Sequence, residues 1–227
     1  VDLDPGARTA FLNSSCNFIA KYSSSGQFQW ADRLDILTMF TNGQNGNYMT
    51  IDNVTQDLIL TGGYVDTIDI DPSAGVQQLI GNSPSDQTFF MARFNTNGQL
   101  LWANDFDGSN TNNVVLGHDL KLEQVKTDLL GNIFIMGHIN GTIDMDPSVG
   151  IANLTNTYYI CKYNSLGQLL IAQSFAASPM SFDIDSQNNI VLGGWFVNVV
   201  DFDLGAGTQS LNAGPSSGDF FVAKYSN

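Results

Sequence analysis

Repetition is the property of this sequence that most narrows what it can fold into. Aligned on itself, the sequence shows four copies of one Asp-x-Asp segment: Val1-Asp2-Leu3-Asp4-Pro5, Ile68-Asp69-Ile70-Asp71-Pro72, Ile143-Asp144-Met145-Asp146-Pro147 and Val200-Asp201-Phe202-Asp203-Leu204. Each precedes an aromatic-x-small-basic-aromatic segment, at Phe18 to Tyr22, Phe90 to Phe94, Tyr159 to Tyr163 and Phe221 to Tyr225. The first motif recurs at intervals of 67, 75 and 57 residues and the second at 72, 69 and 62. Two motifs returning in fixed order mark a repeat architecture, in which each unit buries its apolar faces against its neighbours.

Four short segments of alternating polarity make up one unit. The first is Gln124 to Thr127, aligned with Met49 to Asp52 and Ser181 to Ile184. The second runs from Asn132 to Gly137, aligned with Asp57 to Gly62 and Asn189 to Gly194. It is a continuous apolar run between turn residues, as expected of a central strand covered on both faces. The aromatic segment is third. The fourth follows a tight turn, at Gly26 to Ala31, Gly98 to Ala103 and Gly167 to Ala172. Gly26, Gly98 and Gly167 stand where such a hairpin requires a positive φ. No segment carries a helical period, so sheets must pack on sheets. The expected fold class is all-β, a β-propeller of four-stranded antiparallel blades. One repeat region spans residues 1–227, with approximate units 1–46 (partial), 47–118, 119–179 and 180–227 (partial).

Composition removes several classes of function. With 43% apolar and 13% charged residues the chain can bury a core, which argues against disorder. Eight basic against 22 acidic residues give a net charge of -14, which repels a phosphate backbone and makes nucleic acid an unexpected partner. No run approaches the ~18 apolar residues that span a bilayer, and no basic-then-apolar leader opens the sequence. A soluble chain is expected, with any export signal removed or lying outside it. Cys161 stands where other copies have Ala20, Ala92 and Ala223, which reads as a small buried core position. Cys16 falls where they have Thr88, Thr157 and Asp219. Neither has a counterpart, so a bridge between them is not expected.

The pattern Gly194-x6-Asp201-Phe202-Asp203-x-Gly205-Ala206-Gly207-Thr208, then Leu211, then Asp219 to Tyr225, resembles the bacterial β-propeller repeat family labelled SBBP. The likeness continues in Asn-x-x-Gly-Gln-x-x-Trp-Ala at Asn95 to Ala103 and in the Asp-x-x-Gly-Asn turn at Asp128 to Asn132, and covers nearly the whole chain. It implies a secreted or surface-anchored protein of Bacteroidota-type bacteria. The sequence departs from the pattern at Leu204, at Ile171 in place of Trp, and at Gln56 and Asn188 in place of the turn glycine, which suggests structural divergence rather than a catalytic set.

Residues 1 to 22 and 200 to 225 carry the same two motifs, whereas a closing propeller usually divides one blade into complementary ends. About three and a half units are expected, cut from a longer array or completed by another chain or a second copy.

Candidate sites are sparse. Asp69 with Asp71, Asp144 with Asp146, and Asp201 with Asp203 project to one strand face at a separation of ~6.5 to 7 Å, suited to flanking a calcium ion. The preferred reading is Asx turns and solvated edge carboxylates, because the full calcium loop with its distal Glu is absent. Asp183-x-Asp185-x-x-Asn188, with Asn53 and Asp128 as counterparts of Asp185, also reads as a turn. His118 and His138 are non-equivalent, no nucleophile or zinc motif occurs, and the lone Glu123 supplies at most half of a carboxylate pair. Trp30 and Trp102 share a position with Ile171, which favours packing between blades over a sugar platform. Trp195 and His138 follow the glycine end of the second strand, a position that admits a ligand contact, with a plain rim residue as the preferred reading. The variable loops Asn42 to Asn47, Ser83 to Gln87 and Asp107 to Asn113 have the composition of adaptable polar contacts. These observations favour a non-catalytic extracellular scaffold or recognition module for a protein or polysaccharide at a cell surface, with self-association or further repeats completing it. The alternatives are a calcium-dependent carbohydrate-binding module and, less favoured, a propeller glycoside hydrolase. Calcium is the one cofactor the pattern admits.

Overall fold

The computed structural model describes residues 2–6, 9–12, 17–34, 48–81, 88–106, 119–214 and 217–226. These contain seventeen strands, all paired antiparallel, and no helix. The first sheet pairs β1 (Asn17–Tyr22) with β2 (Phe28–Leu34). The second comprises β3 (Tyr48–Ile51), β4 (Leu58–Tyr64), β7 (Thr88–Phe94) and β8 (Leu100–Phe106) in that order, with the small hairpin β5 (Thr67–Asp69) and β6 (Gln78–Ile80) between its middle strands. The third is β9 (Asp119–Thr127), β10 (Ile133–Asp144), β11 (Asn153–Tyr163) and β12 (Leu169–Phe175), whose long middle strands absorb the equivalent hairpin. The last is β13 (Ser178–Ile184), β14 (Ile190–Val197) and β17 (Gly218–Tyr225), with the hairpin β15 (Val199–Asp201) and β16 (Ser210–Asn212). Each complete unit is thus a meander of four neighbouring strands plus one short hairpin.

The turns follow from local chemistry. Gly26, Gly98 and Gly167 adopt φ of 78°, 83° and 77° at the hairpins before the fourth strands, as the sequence requires. At the turn between first and second strands the positive φ falls on Gln56 (64°), Gly131 (78°) and Asn188 (64°). This turn is one residue longer in the second sheet, closing from Asp52 to Asp57 rather than from Asp128 to Asn132 or Asp185 to Asn189. The extra residue moves the alignment. Ile51 pairs with Leu58 as Thr127 pairs with Ile133, so Tyr48–Ile51, not Met49 to Asp52, matches Gln124 to Thr127, and Asp52, not Asn53, is the counterpart of Asp128 and Asp185.

Period-two alternation sends successive side chains to opposite faces, and the sheets stack so that both faces of the middle sheets are covered. Ile19 and Leu34 meet Leu58, Leu60, Phe90 and Phe94. Ile59, Phe89 and Met91 on the other face meet Ile133, Ile135 and Tyr159. Phe134, Met136 and Ile160 then meet Phe182, Leu192 and Phe221. β4 is buried along its whole length and β10 through its first five residues, as expected of central strands. β14 departs from that expectation: its Leu192, Gly194 and Phe196 are buried and the alternate residues are not, because among the described residues no sheet covers its second face. The sheets come together most closely at their first strands, where β9 lies against both β3 and β13. Thr127 Oγ1 donates to Ile51 O at 3.3 Å and the Phe182 N–H donates to Gln124 Oε1 at 2.9 Å across these junctions. Cys161 is fully buried and unbridged, as its alanine counterparts imply, and Cys16 lies outside the described residues.

Candidate functional site

The Asp-x-Asp segments form one device, used four times. Oδ1 of Asp2, Asp69, Asp144 and Asp201 each accepts two backbone N–H bonds of 2.8 to 3.2 Å, one from the residue two positions on and one from the residue eight on. The carboxylate clamps the base of the hairpin that the apolar residue between the two aspartates begins. The second aspartate turns the chain: Asp4, Asp71, Asp146 and Asp203 accept from the N–H of Gly6, Ser73, Ser148 and Gly205. Its carboxylate also fills the space a Cβ would need at Gly75, Gly150 and Gly207. These N–H donors hold Asp2 and Asp201 below the usual carboxylate range, with Ala10 and Gln209 contributing most. Backbone donors thus account for the candidate calcium pairs Asp69 and Asp71, Asp144 and Asp146, Asp201 and Asp203. Among the described residues no group of three or more His, Cys, Asp or Glu side chains gathers as a metal shell.

A second recurring device ties the basic residue of the third strand to the turn between the first and second. Arg93 bonds Asp52 through Nη2 at 2.5 Å and Asp57 through Nε at 2.9 Å, and reaches Thr55 Oγ1 at 2.7 Å. Lys162 stands 3.7 Å from Asp128, with its Nζ over the Phe134 ring, and Lys224 lies 2.7 Å from Asp185. Bonds from Asn189, then Lys224, hold Asp185 far below the usual range. Asp183 pairs instead across the sheet junction with Lys126, at 2.9 Å. Asp183 therefore stands in strand β13 and only Asp185 opens the turn, each with its own cationic partner. The repeated basic residue was visible in the sequence. In the second unit its aspartate, Asp52, was hidden by the extra turn residue.

Trp30 and Trp102 close the junctions between sheets. Each indole N–H donates to a turn carbonyl of the following sheet, Thr96 O at 3.0 Å and Ser165 O at 3.1 Å. Their rings lie against Gly98 and Gly167, where a Cβ would meet the indole at 3.1 Å.

The rim position of the second strand carries different chemistry in each unit. Gly63 faces Phe89, His138 faces Tyr158 and Trp195 faces Phe220 at equivalent pairs. His138 stacks obliquely on Tyr158 at 5.7 Å between ring centroids and stands 3.8 Å from Glu123, which Lys121 reaches at 3.2 Å. Glu123 is thrown toward the imidazole by a bulge in β9, where Gln124 pairs with Met136 but Leu122 with Gly137. Beside His138 a cleft of about 540 Å³ is lined by Asn140, Asn156, Thr157, Tyr158 and Ser174. Among the described residues the charge partners of Glu123 are Lys121 and His138. Sequence reading reached His138 and Glu123 separately, and only cross-strand register brings Tyr158 and the bulge to them. His118 and the three variable loops lie outside the described residues. Comparison with family models, curated proteins and solved structures finds no match to this chain.

Proposed function

We propose that the chain forms part of a β-propeller and acts as a non-catalytic extracellular scaffold that recognises a protein or polysaccharide at a cell surface. The observation that supports this reading is the contrast between repeated and variable positions. Clamping aspartates, basic third-strand residues and sheet-facing apolar residues recur, while one rim position holds Gly63, His138 and Trp195. A rigid frame with changing rim residues suits recognition. The cleft beside His138 joins an aromatic face to amide and hydroxyl groups, the combination that takes a sugar ring with its hydroxyls. The approach of β9 to both β3 and β13, with the later strands set outward, supports the propeller arrangement.

Calorimetric titration with soluble polysaccharides, run with and without calcium, tests the recognition reading. Binding should be insensitive to a chelator and fall tenfold or more in His138→Ala or Trp195→Ala. Affinity untouched by both substitutions would sink the assignment. Loss of binding on chelation would favour the calcium-dependent module, and turnover of the glycan would favour the hydrolase.

A further inference from the structure

The connection between the short hairpin and the third strand differs in length from unit to unit. It leaves the hairpin at Ile80, Thr155 and Asn212, the partners of Thr67, Thr142 and Val199. It enters the third strand at Thr88, Thr157 and Asp219, the partners of Tyr64, Ile139 and Phe196. Residues 81–87 make up this connection in the second unit and residues 213–218 in the fourth, but Asn156 alone makes it up in the third. The cleft beside His138 lies at this shortened connection, with Asn140, Asn156 and Thr157 in its wall. The fourth unit fills the corresponding place. Gly218, which precedes Asp219 as Asn156 precedes Thr157, has no room for a Cβ against the Trp195 indole. Where the fourth unit packs an indole on a glycine, the third pairs the smaller His138 with an amide side chain.

The surroundings of Asn156 fix its amide. Its backbone takes φ of 46°, in the left-handed region that asparagine tolerates, and its Oδ1 accepts the Gly141 N–H at 2.7 Å. That bond settles which side of the amide is oxygen, and among the described residues the NH2 group has no partner. Thr157 Oγ1 donates its proton to a backbone carbonyl, Tyr158 O at 2.9 Å or Phe175 O at 3.3 Å, which leaves its lone pairs as acceptors. A donor and an acceptor on adjacent residues therefore line the cleft beside the Tyr158 ring. Among the described residues no Arg, Lys, Asp or Glu lines it, and Lys121 and Glu123 engage each other outside the lining, 3.2 Å apart. Its volume of about 540 Å³ falls within the range of small-ligand sites.

We propose that this cleft binds an uncharged sugar ring, whose C–H face lies on Tyr158 and whose neighbouring hydroxyls accept from the Asn156 amide and donate to Thr157 Oγ1. The inference rests on the recognition reading above and adds the class of ligand and its place in the third unit. A sugar hydroxyl both gives and takes a hydrogen bond, so a donor set beside an acceptor matches two neighbouring hydroxyls. A carboxylate or sulfate only accepts. It would leave Thr157 unmatched and meet no Arg or Lys in the lining, on a chain whose net charge is -14.

Calorimetric titration of the full chain with a panel of oligosaccharides tests it, neutral gluco-, galacto-, manno- and xylo-configured members beside oligouronates and sulfated oligosaccharides. Wild type should bind at least one neutral member and no charged one, with an affinity that rising salt leaves unchanged. Asn156→Gly tolerates the positive φ and removes the amide, so it should melt close to wild type and bind about tenfold or more weakly. Replacing Asn156 with the fourth unit's connection, residues 213–218, should weaken binding at least as much; should that graft misfold, Asn156→Gly decides alone. Neutral binding that survives Asn156→Gly overturns the assignment to this cleft and leaves recognition elsewhere standing. Equal or tighter binding of a charged member overturns the uncharged class and again leaves recognition standing. Failure to bind any member overturns this inference and removes polysaccharide from the broader reading.

Discussion

Replacing Arg93 with alanine should be among the most damaging single changes in the second sheet. The guanidinium is 4% exposed and joins Asp52, Asp57, Thr55 and the Ser165 carbonyl of the next sheet. Its removal strands a carboxylate at Asp52, which is 0% exposed, and a second at Asp57, which is 8% exposed. Breaking a buried ion pair from one side costs about 3 to 5 kcal/mol, because the remaining charge loses both water and partner. For a chain of this size each kcal/mol moves Tm by about 2 to 4 °C, so Arg93→Ala should melt roughly 6 to 20 °C below wild type. Arg93→Lys should lose only about 1 to 2 kcal/mol, since a lysine can hold one carboxylate, as Lys162 and Lys224 do, but cannot span the fork. Thermal and urea unfolding followed by circular dichroism measures both. The decisive arm is Asp52→Asn in the Arg93→Ala background, which removes the stranded charge and should recover about 1 kcal/mol or more. The reasoning is refuted if Arg93→Ala costs less than about 1 kcal/mol, or if the second substitution adds to the damage instead of relieving it.

Tyr159 stands where Phe90 and Phe221 occupy other units, and its fully buried hydroxyl has no hydrogen-bond partner among the described residues. Tyr159→Phe should therefore stabilise the protein by about 1 kcal/mol or more in urea unfolding, whereas a loss of stability would reveal a bond to that hydroxyl. At the hairpin clamp, Asp144→Asn keeps an acceptor for Asp146 and Ala152 and should cost under about 1 kcal/mol, while Asp144→Ala should cost about 2 to 3 kcal/mol. A Tm that drops on adding a chelator, or equal losses in the two variants, would contradict the clamp. Folding lowers the carboxyl pKa of Asp2, Asp183, Asp185 and Asp201 below the ordinary 3.8, so their stabilisation is complete above that value and is lost as pH falls through the folded values. Tm should hold level above about pH 5 and decline below it, with a shallower decline in Asp185→Asn. Burial raises the Asp32 carboxyl and opposes this trend at one site. A profile flat into strong acid would show that these bonds do not survive in solution.

Much of the molecule was legible in the sequence because its determinants are local. The turn glycines needed only their own φ, the four main strands of a unit only alternation, and the Asx turns only the aspartate's reach to nearby backbone N–H groups; the short hairpins β5–β6 and β15–β16 that these aspartates clamp were not read from the sequence. Cys161 and Trp102 could be placed by comparing copies, since a position that accepts Ala or Ile elsewhere is one set by packing. Reading by alignment failed where a turn changed length. One inserted residue between Asp52 and Asp57 was enough to assign Asn53 to a position that Asp52 holds.

By itself the sequence determined the repeat, the four main strands of each unit, their turns and the chemistry placed at each recurring position, because these depend on residues close together along the chain. The tertiary structure alone decided which carboxylate meets which cation, how the β9 bulge brings Glu123 to His138, and which faces remain open. Those outcomes depend on register and stacking between segments tens of residues apart. Phe220 and Phe89 occupy equivalent positions in the repeat, yet one is 80% exposed and the other 2%. What separates them is the presence of a neighbouring sheet, which no local pattern records.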